Sequence, residues 1–358
     1  MKGNTKRFSL NNRSGIVIQI YGEISSVHGM ILPQSEDFVE IIKERYLIER
    51  ANLFKGLEGC FSLIITDYES GDLFLVRDKI GTIPIYYALQ SNIVFWGNSI
   101  RDIIDQGGYR SRINEHVIHE YLAYRYVSSR NTIFKDIIEL QPAHYLKVDL
   151  CTGDPKEFAY WEIPYPLMNE PIMEDKSSII TKIESILAKN LAKGLSKDLR
   201  HGIMSSGGID SSLIVAIASK IHKKQLSTYF IGFEDYESDR SSDAKSVSKW
   251  YNTNHSTFYI DAEQYAIGLP EAIRVHEEPL NHPGHVGRVL FNKHMHGKID
   301  CLYLGEGVDT MFCGSMDYAL INISYKYNYL RVITQKIFEC IQPSLLPHSI
   351  RRHYSMIR

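Results

Sequence analysis

The stretch that most constrains this chain spans residues 203–212 and reads Ile-Met-Ser-Ser-Gly-Gly-Ile-Asp-Ser-Ser. An apolar pair leads into a small, polar turn with two glycines, and residues 213–218 after it have apolar spacing compatible with a helix. The glycines let the backbone turn tightly and approach a ligand closely. The start of a helix presents unpaired N–H groups and a positive dipole end, which favour an anion. The pattern therefore predicts a strand, a phosphate-binding loop and a helix.

The side chains of this loop suit a nucleotide that carries a metal ion. The anion-binding positions are Ser206, Gly207, Gly208, Ser211 and Ser212. Asp210 is an acid among them, which makes sense mainly if a cation lies between it and the phosphates. Mg²⁺ binds in that way, through one or two carboxylates and phosphate oxygens. The alternative is a Gly-Gly turn with a serine helix cap, as many α/β units contain. The loop is not a Walker A sequence, because no Gly-Lys-Ser/Thr follows.

Composition narrows the class of protein. At 358 residues the chain is long enough for two domains that each bury a core. Its 44% hydrophobic and 23% charged residues are typical of a globular protein. The formal net charge of −2 gives no reason to expect nucleic acid or an anionic membrane as a partner. Five scattered cysteines without zinc spacing, and the lack of a signal peptide or membrane-length apolar span, lead us to expect a cytoplasmic protein with free thiols.

The segment Ser-Gly-Gly-Ile-Asp-Ser-Ser at residues 206–212 resembles the loop of the ATP-pyrophosphatase group and, within it, the asparagine synthetase family. The resemblance implies a doubly wound, mostly parallel sheet that binds ATP and Mg²⁺. It also implies that ATP is cleaved between its α- and β-phosphates to adenylate a carboxylate. In such sheets ligands lie at the carboxyl ends of the strands. The backbone at Ile231 and Gly232, in a predicted strand over residues 227–233, is therefore expected to face the adenine.

A second loop follows a buried-type strand predicted over residues 299–304. Residues 305–314 resemble the family's second loop, Gly-Glu-Gly-x-Asp-Glu-x-Phe-x-Gly. The resemblance implies that Gly305 and Gly307 admit the α-phosphate region against the backbone. It makes Asp309 the second metal ligand, opposite Asp210, and Glu306 an acid near the acceptor that handles a proton or orients the nucleophile. Two departures weaken the case for ordinary asparagine synthesis, because Leu304 replaces the family's serine and Thr310 its second glutamate.

Three further positions leave alternatives open. Glu277 and Glu278 precede a proline, as the family's paired acids do; they are either a solvated helix end or part of the metal shell, and we prefer Glu278 as the functional acid. His255 matches a family histidine and is more simply a capping or core residue. His282 and His285 lack a Cys or Asp partner at ligand spacing, so their segment is expected to set the acceptor rather than to bind a metal.

The front half resembles the family's glutamine amidotransferase domain, through a block at residues 77–87 in particular. Close-spaced strand patterns predict an antiparallel, sandwich-like domain, here degenerate and N-terminally shortened. The family's nucleophile is an N-terminal cysteine, whereas this chain begins Met-Lys-Gly. Tyr21 replaces the asparagine before Gly-Glu, and Cys60 falls in a predicted strand, where we expect it to be buried and inert. We therefore expect no glutamine hydrolysis.

The sequence thus predicts an amidotransferase-like domain at residues 1–162, a linker at 163–175, and an ATP-binding, C-terminally shortened domain at 176–358. The expected reaction is asparagine synthetase-like amide ligation, in which a small-molecule or peptide carboxylate is adenylated and an amine displaces AMP. One alternative is the intramolecular ligation of the related β-lactam synthetases and lasso-peptide cyclases. Another is a non-catalytic or truncated ATP-binding protein. No nucleic acid or membrane partner is expected, and a homodimer or a partner protein stays open.

Overall fold

The computed structural model describes residues 7–11, 15–33, 37–91, 93–106, 108–128, 130–164, 174–195, 198–234 and 240–314. The chain divides into two compact units. The first comprises Met1–Met173 together with Ile267–Val286, and the second comprises Glu174–Ala266 together with Gly287–Arg358. A segment of the C-terminal half therefore belongs to the unit that the N-terminal half builds. Most of the predicted linker at residues 163–175 lies outside the described ranges.

Several strands follow one another in the N-terminal half, whereas over residues 176–260 strands and helices alternate. The strands are β1 (Arg7–Asn11), β2 (Ile16–Val27), β3 (Met30–Ile31), β4 (Leu57–Asp67), β5 (Asp72–Arg77), β6 (Tyr86–Gln90), β7 (Ile93–Gly97), β8 (Ile137–Glu139), β9 (His144–Asp149), β10 (Pro155–Ala159), β11 (His201–Met204), β12 (Ser227–Phe233), β13 (Asn254–Ile260) and β14 (Cys301–Tyr303). The helices are α1 (Asp37–Glu49), α2 (Leu53–Gly56), α3 (Ile100–Ile104), α4 (Glu115–Tyr124), α5 (Lys176–Leu195), α6 (Ile209–Ile221), α7 (Ser241–Trp250), α8 (Ala262–His276), α9 (Gly284–Met295) and α10 (Val308–Met311).

The first unit is built on an antiparallel sheet of seven strands. Its order is β1-β2-β4-β5-β9-β10, and β3 pairs with β2 off this path. Period-two patterning divides its side chains between two faces, because successive residues of a strand point to opposite sides. On one face, Leu63 and Ile65 of β4 pack in one cluster with Ile42 and Tyr46 of α1. The helices therefore cover that face.

The other face of this sheet packs against a small three-stranded sheet, of order β7-β6-β8. Ile64 lies between the two residues that face the helices and so points the opposite way. It shares a cluster with Leu75 of β5 and with Ile85 and Tyr87 from the start of the small sheet. The two antiparallel sheets thus bury apolar side chains against one another.

A buried carboxylate organises the loop that links the two sheets. Asp78 follows β5 directly and has no exposed surface. Its oxygens accept hydrogen bonds from the backbone N–H groups of Phe61 at 3.2 Å, Ile80 at 3.1 Å, Thr82 at 2.9 Å and Ile83 at 3.3 Å. A buried charge is tolerated when N–H groups satisfy it in this way. The block at residues 77–87 therefore holds the loop onto the sheet.

The second unit contains a four-stranded parallel sheet of order β13-β12-β11-β14. All three strand pairs are parallel, so their carboxyl ends meet at one edge. Its core joins α5, the strands and α6 through Leu191, Ile203 and Val215, which are buried. The prediction of a mixed α/β chain with a parallel sheet is confirmed, and β12 has the predicted bounds. In the described ranges no helix combines the length and the apolar character needed to cross a membrane.

One expectation about the first unit was wrong. Cys60 lies within β4, as predicted, but it is exposed rather than buried. The reason is the pleat, since Leu57 and Phe61 on either side of it in the strand face the core and Cys60 points away from them. The sequence pattern identified the strand but did not identify which of its faces the cysteine occupies.

We expect Asp78→Ala to lower the free energy of unfolding by about 3 kcal/mol or more, because several buried N–H groups lose their acceptor together. Urea unfolding followed by circular dichroism measures the change. Asp105→Ala is the matched control, since Asp105 is exposed at the end of α3, and it should cost less than about 0.5 kcal/mol. Equal losses in the two variants would show that Asp78 does not organise the loop.

Candidate functional site

The first loop at the carboxyl edge of the parallel sheet connects β11 to α6. Ser205 N–H donates to Tyr229 O at 2.8 Å, which extends the pairing with β12 by one residue. Gly207 then adopts φ 71°, a left-handed conformation that favours glycine. A Cβ at Gly207 would lie 2.7 Å from the carbonyl carbon of Asp243 in α7. Glycine is thus required both by the turn and by the close approach of α7.

Serine hydroxyls stabilise the tight turn that opens α6. Ser206 N–H donates to Ser211 Oγ at 3.2 Å, and Gly208 N–H donates to Ser206 Oγ at 3.3 Å. Ser205 Oγ and Ser212 Oγ are buried without a hydrogen-bond partner among the described residues. Buried polar atoms normally have partners, so unsatisfied hydroxyls in a glycine loop at a helix start are consistent with a site for an anionic ligand.

The second loop follows β14 and touches the first. A Cβ at Gly305 would lie 2.9 Å from Ser211 N and 3.0 Å from Asp210 C, so the backbones of the two loops are in close contact. Gly307 takes φ 86° and precedes α10, which carries Asp309. A Cβ at position 314 would lie 2.5 Å from the Oδ1 of Asp309, so Gly314 leaves room for that carboxylate.

The two predicted metal ligands are carried by these touching loops. Asp210 is in the first turn of α6 and Asp309 is in α10. In the part of the chain that the structure describes, neither carboxylate forms an ion pair, and no group of three or more His, Cys, Asp or Glu residues is arranged to hold a metal. Two carboxylates that leave further positions to water and phosphate oxygens suit Mg²⁺ better than a metal held by protein ligands alone.

The predicted adenine-facing residues are part of the sheet. Ile231 pairs with Phe258, and Gly232 pairs with Tyr259. The ring of Tyr259 covers Gly232, since a Cβ there would lie 2.7 Å from it. An adenine contact at Ile231 and Gly232 stays a prediction. In the neighbouring strand, the pKa of His255 is lowered, first by desolvation on burial and then by the charge of Lys245. A lowered pKa of this origin is typical of a histidine that packs in the fold.

Two arginines near the loops were not anticipated from the sequence. Arg288 of α9 makes a forked ion pair with Glu306, in which Nη1 lies 3.1 Å from Oε2 and Nη2 contacts Oε1. Arg240 pairs with Asp243 at 3.2 Å, and its Nη1 would lie 3.8 Å from a Cβ at Gly208. Both belong to stretches without a motif, so only the folded arrangement brings them to the loops.

Glu277 and Glu278 belong to the first unit and differ in their contacts. Glu277 accepts from Ile100 N–H at 2.6 Å and Arg101 N–H at 3.2 Å, so it caps the N-terminus of α3. Glu278 is half-buried. Desolvation first, and then the charge of Glu139, raise its pKa, although a hydrogen bond from the backbone of Ile133 works in the opposite direction. Desolvation raises the pKa of Glu277 as well, so the hydrogen bonds and not the acidity separate the two. Glu277 has a structural role as a cap, and Glu278 stays a candidate functional acid.

A cavity of about 110 Å³ adjoins Glu278 within the first unit. Tyr121, Arg125, His276, Asn281 and His285 contribute to its lining. A ring nitrogen of His285 lies 3.0 Å from one of His276, at hydrogen-bond distance. The segment at residues 281–285, which we expected to set the acceptor, therefore borders a polar cavity.

Comparison with known proteins identifies the family. The sequence profile of Asparagine synthase matches residues 182–353, and that of Glutamine amidotransferase domain matches residues 34–161. A putative glutamine-hydrolyzing asparagine synthetase of Methanocaldococcus jannaschii is 24% identical over 342 residues, which cover 91% of this chain and 65% of that protein. The chain belongs to the asparagine synthetase family.

The family relatives are longer than this chain. Glutamine-hydrolyzing asparagine synthetase 1 of Bacillus subtilis is 21% identical over 276 residues, which cover 77% of this chain and 42% of that protein. The chain thus spans 65% and 42% of the length of these two relatives. Among solved structures, NMN synthetase from Francisella tularensis has 18% identity and a TM-score of 0.26, over 33% of this chain and 49% of that one. A likeness of that extent does not bear on function.

The family profile covers both loops of the parallel-sheet unit. Ser206, Gly207, Gly208, Ser211 and Ser212 surround the first turn, and Gly305, Glu306 and Gly307 form the second. The structure brings Asp210 and the loop of Asp309 together in one unit, whereas it places Glu278 in the other. Arg288 and Arg240 join the candidate set.

We expect Glu278→Gln to be more stable than the unaltered protein at pH 8. The folded-state pKa of Glu278 is raised, so its charged form costs stability above that pKa, and this cost is absent below the unfolded value. Glutamine keeps the acceptor for Ile133 N–H without the charge. Urea unfolding at pH 8 and near pH 4 measures the gain, which should disappear at the lower pH.

Glu44→Gln is the control, because Glu44 is exposed on α1 of the same unit. Its stability should change little at either pH. Lower stability of Glu278→Gln at pH 8 would contradict the assigned environment of this carboxyl.

Proposed function

We propose that this chain is an ATP-dependent amide ligase that adenylates a carboxylate and releases AMP and pyrophosphate. The observation that carries the proposal is the contact between Gly305 and the backbone of Asp210 and Ser211, which joins two acid-bearing loops at one edge of a parallel sheet. Membership of the asparagine synthetase family supports the same chemistry. Helix starts and glycine loops at such an edge suit a triphosphate.

In this mechanism the first loop binds the phosphates through backbone N–H groups and the hydroxyls of Ser206 and Ser212. Asp210 and Asp309 would hold Mg²⁺, which supplies neutralisation of phosphate charge when bound. A carboxylate oxygen attacks the α-phosphorus and pyrophosphate leaves; an amine nitrogen then attacks the acyl carbon, AMP leaves and the amine gives up a proton. Glu306, in the second loop, would orient that amine or take its proton.

We further propose that glutamine hydrolysis is not part of this activity. Cys60 is internal to β4, opposite Glu23 in the ladder with β2, so it has no α-amino group to serve as its base. Tyr21 stands where the resemblance expects an asparagine that holds the substrate or the oxyanion. The amine would therefore be free ammonia or a primary amine.

We expect the purified protein to catalyse ATP–pyrophosphate exchange that depends on Mg²⁺ and an acid. Asp210→Asn and Asp309→Asn should each lower exchange by about 100-fold or more, because each would remove one of the two carboxylates proposed to hold Mg²⁺. Asp198→Asn is the control, as Asp198 is an exposed acid of the same unit, and it should retain full exchange.

A screen of acids separates the alternatives. Exchange with L-aspartate supports asparagine synthesis, and exchange only with a larger acid or a peptide supports the intramolecular ligases. Nucleotide binding without exchange would contradict the ligase proposal and favour a non-catalytic ATP-binding protein. Full exchange in both aspartate variants would show that these residues do not bind the metal.

We also expect no release of glutamate when the purified protein is incubated with glutamine. The described cysteines are internal residues, so none has the free α-amino group that serves as the base of the family nucleophile. Glutamate formation is measured against a heat-treated sample. The informative contrary result is turnover that Cys60→Ala abolishes, since it would make an exposed strand cysteine the nucleophile.

A further inference from the structure

The forked ion pair between Arg288 and Glu306 lies beside the contacting loops. Both oxygens of the Glu306 carboxylate face the guanidinium, with Nη1 to Oε2 at 3.1 Å. A planar guanidinium matches the spacing of two carboxylate oxygens, and the pair shows that a carboxylate fits this fork at this place.

The packing of α9 fixes where the fork lies. A Cβ at Gly287 would be 3.2 Å from Ile231 Cγ2 and 3.1 Å from Phe233 Cζ, so the helix is held against the carboxyl end of β12. Arg288 is the next residue and reaches the loop that follows β14. The fork therefore belongs to the edge at which Gly305 meets the start of α6.

The Arg288–Glu306 pair is exposed and, in the described ranges, lacks the backbone hydrogen bond that reinforces a structural pair of the same unit. The Arg288 and Glu306 side chains are 43% and 59% exposed, and exposed pairs contribute little to stability, so an exchange of partners costs little. By contrast, Asp300 accepts both the Arg200 side chain at 2.6 Å and the Arg200 backbone N–H at 2.9 Å, which anchors β14. Nothing comparable ties Glu306 to the backbone of α9 in the described ranges.

We propose that Arg288 binds the carboxylate-bearing end of the acid substrate, and that Glu306 occupies the same fork in the substrate-free protein. This inference rests on the proposed ligase function and adds the residue that selects the acid. Arrival of the substrate carboxylate displaces Glu306, which leaves the Glu306 carboxylate free to meet the incoming amine. Acid binding and the release of the proton-handling group are thereby linked.

The test measures ATP–pyrophosphate exchange with separate KM values for the acid, ATP and pyrophosphate. The probe is L-aspartate or, where aspartate supports no exchange, the acid of the screen that does. Arg288→Ala should raise the KM for the acid about 10- to 100-fold and leave the other two KM values unchanged. Arg288→Lys should raise the KM for the acid by an intermediate amount, because lysine keeps the positive charge but not the forked geometry of the guanidinium.

Glu306→Gln should change the KM for the acid in the opposite direction. It removes the internal competitor, so we expect the KM for the acid to fall even if kcat falls too. Arg274→Ala is the control, because Arg274 also forms an exposed ion pair but does not belong to either loop. Its side chain pairs with Glu271 at 3.1 Å and is 47% exposed. Melting temperatures check that every variant is folded.

Each outcome decides the matter. An unchanged KM for the acid in folded Arg288→Ala overturns the inference alone, and a raised KM for pyrophosphate reassigns Arg288 to the phosphates. A raised KM for the acid in Glu306→Gln shows a merely structural pair. Lack of exchange with every acid in the unaltered protein instead overturns the ligase function on which the inference rests.

Discussion

The backbone contact between Gly305 and the start of α6 is the constraint on which the candidate site depends. A parallel sheet brings the carboxyl ends of β11 and β14 to the same edge, and the loops that follow compete for the same space. A Cβ at position 305 would lie only 2.9 Å from Ser211 N and 3.0 Å from Asp210 C, which is too close for an ordinary contact. Glycine removes this obstacle and lets two acid-bearing loops share one site.

The acidic residues of this chain differ in how fully hydrogen bonds and ion pairs occupy their carboxylate oxygens. Asp67 is buried, and burial by itself would raise its pKa; hydrogen bonds from Ser70, Tyr46 and Glu69 nevertheless lower it. Asp78 and Glu277 are likewise occupied by backbone N–H groups. Such carboxylates stabilise the fold and have little capacity left for a ligand.

Asp210 and Asp309 lie at the other extreme. Neither has an ion-pair partner in the described ranges, and both stand beside buried serine hydroxyls or glycine backbone. Glu306 is intermediate, because its guanidinium partner is exposed and exchangeable. Oxygens that the fold leaves available are those that a metal, a phosphate or an amine can use, so the pattern of satisfaction separates structural acids from candidate functional ones.

The sequence by itself determined the local elements and the two loops. The glycine turns, the hydroxyls at 206, 211 and 212 and the acids at 210 and 309 are encoded within short segments, where φ preferences and helix-start chemistry act over a few residues. For the same reason β12 was predicted with its observed bounds. The parallel sheet, by contrast, was expected from the resemblance of the first loop to the family. The block at residues 77–87 was found as a motif, although its buried aspartate was not.

Only the tertiary structure decided what lies far apart in the chain and meets in space. The fork of Arg288 on Glu306, the capping of α3 by Glu277 across 177 positions, and the assignment of Ile267–Val286 to the first unit all depend on long-range packing. The exposure of Cys60 depends on which face of β4 meets the core. Local patterning specifies elements because its forces act between neighbours, whereas these contacts arise when separate elements bury their apolar faces together.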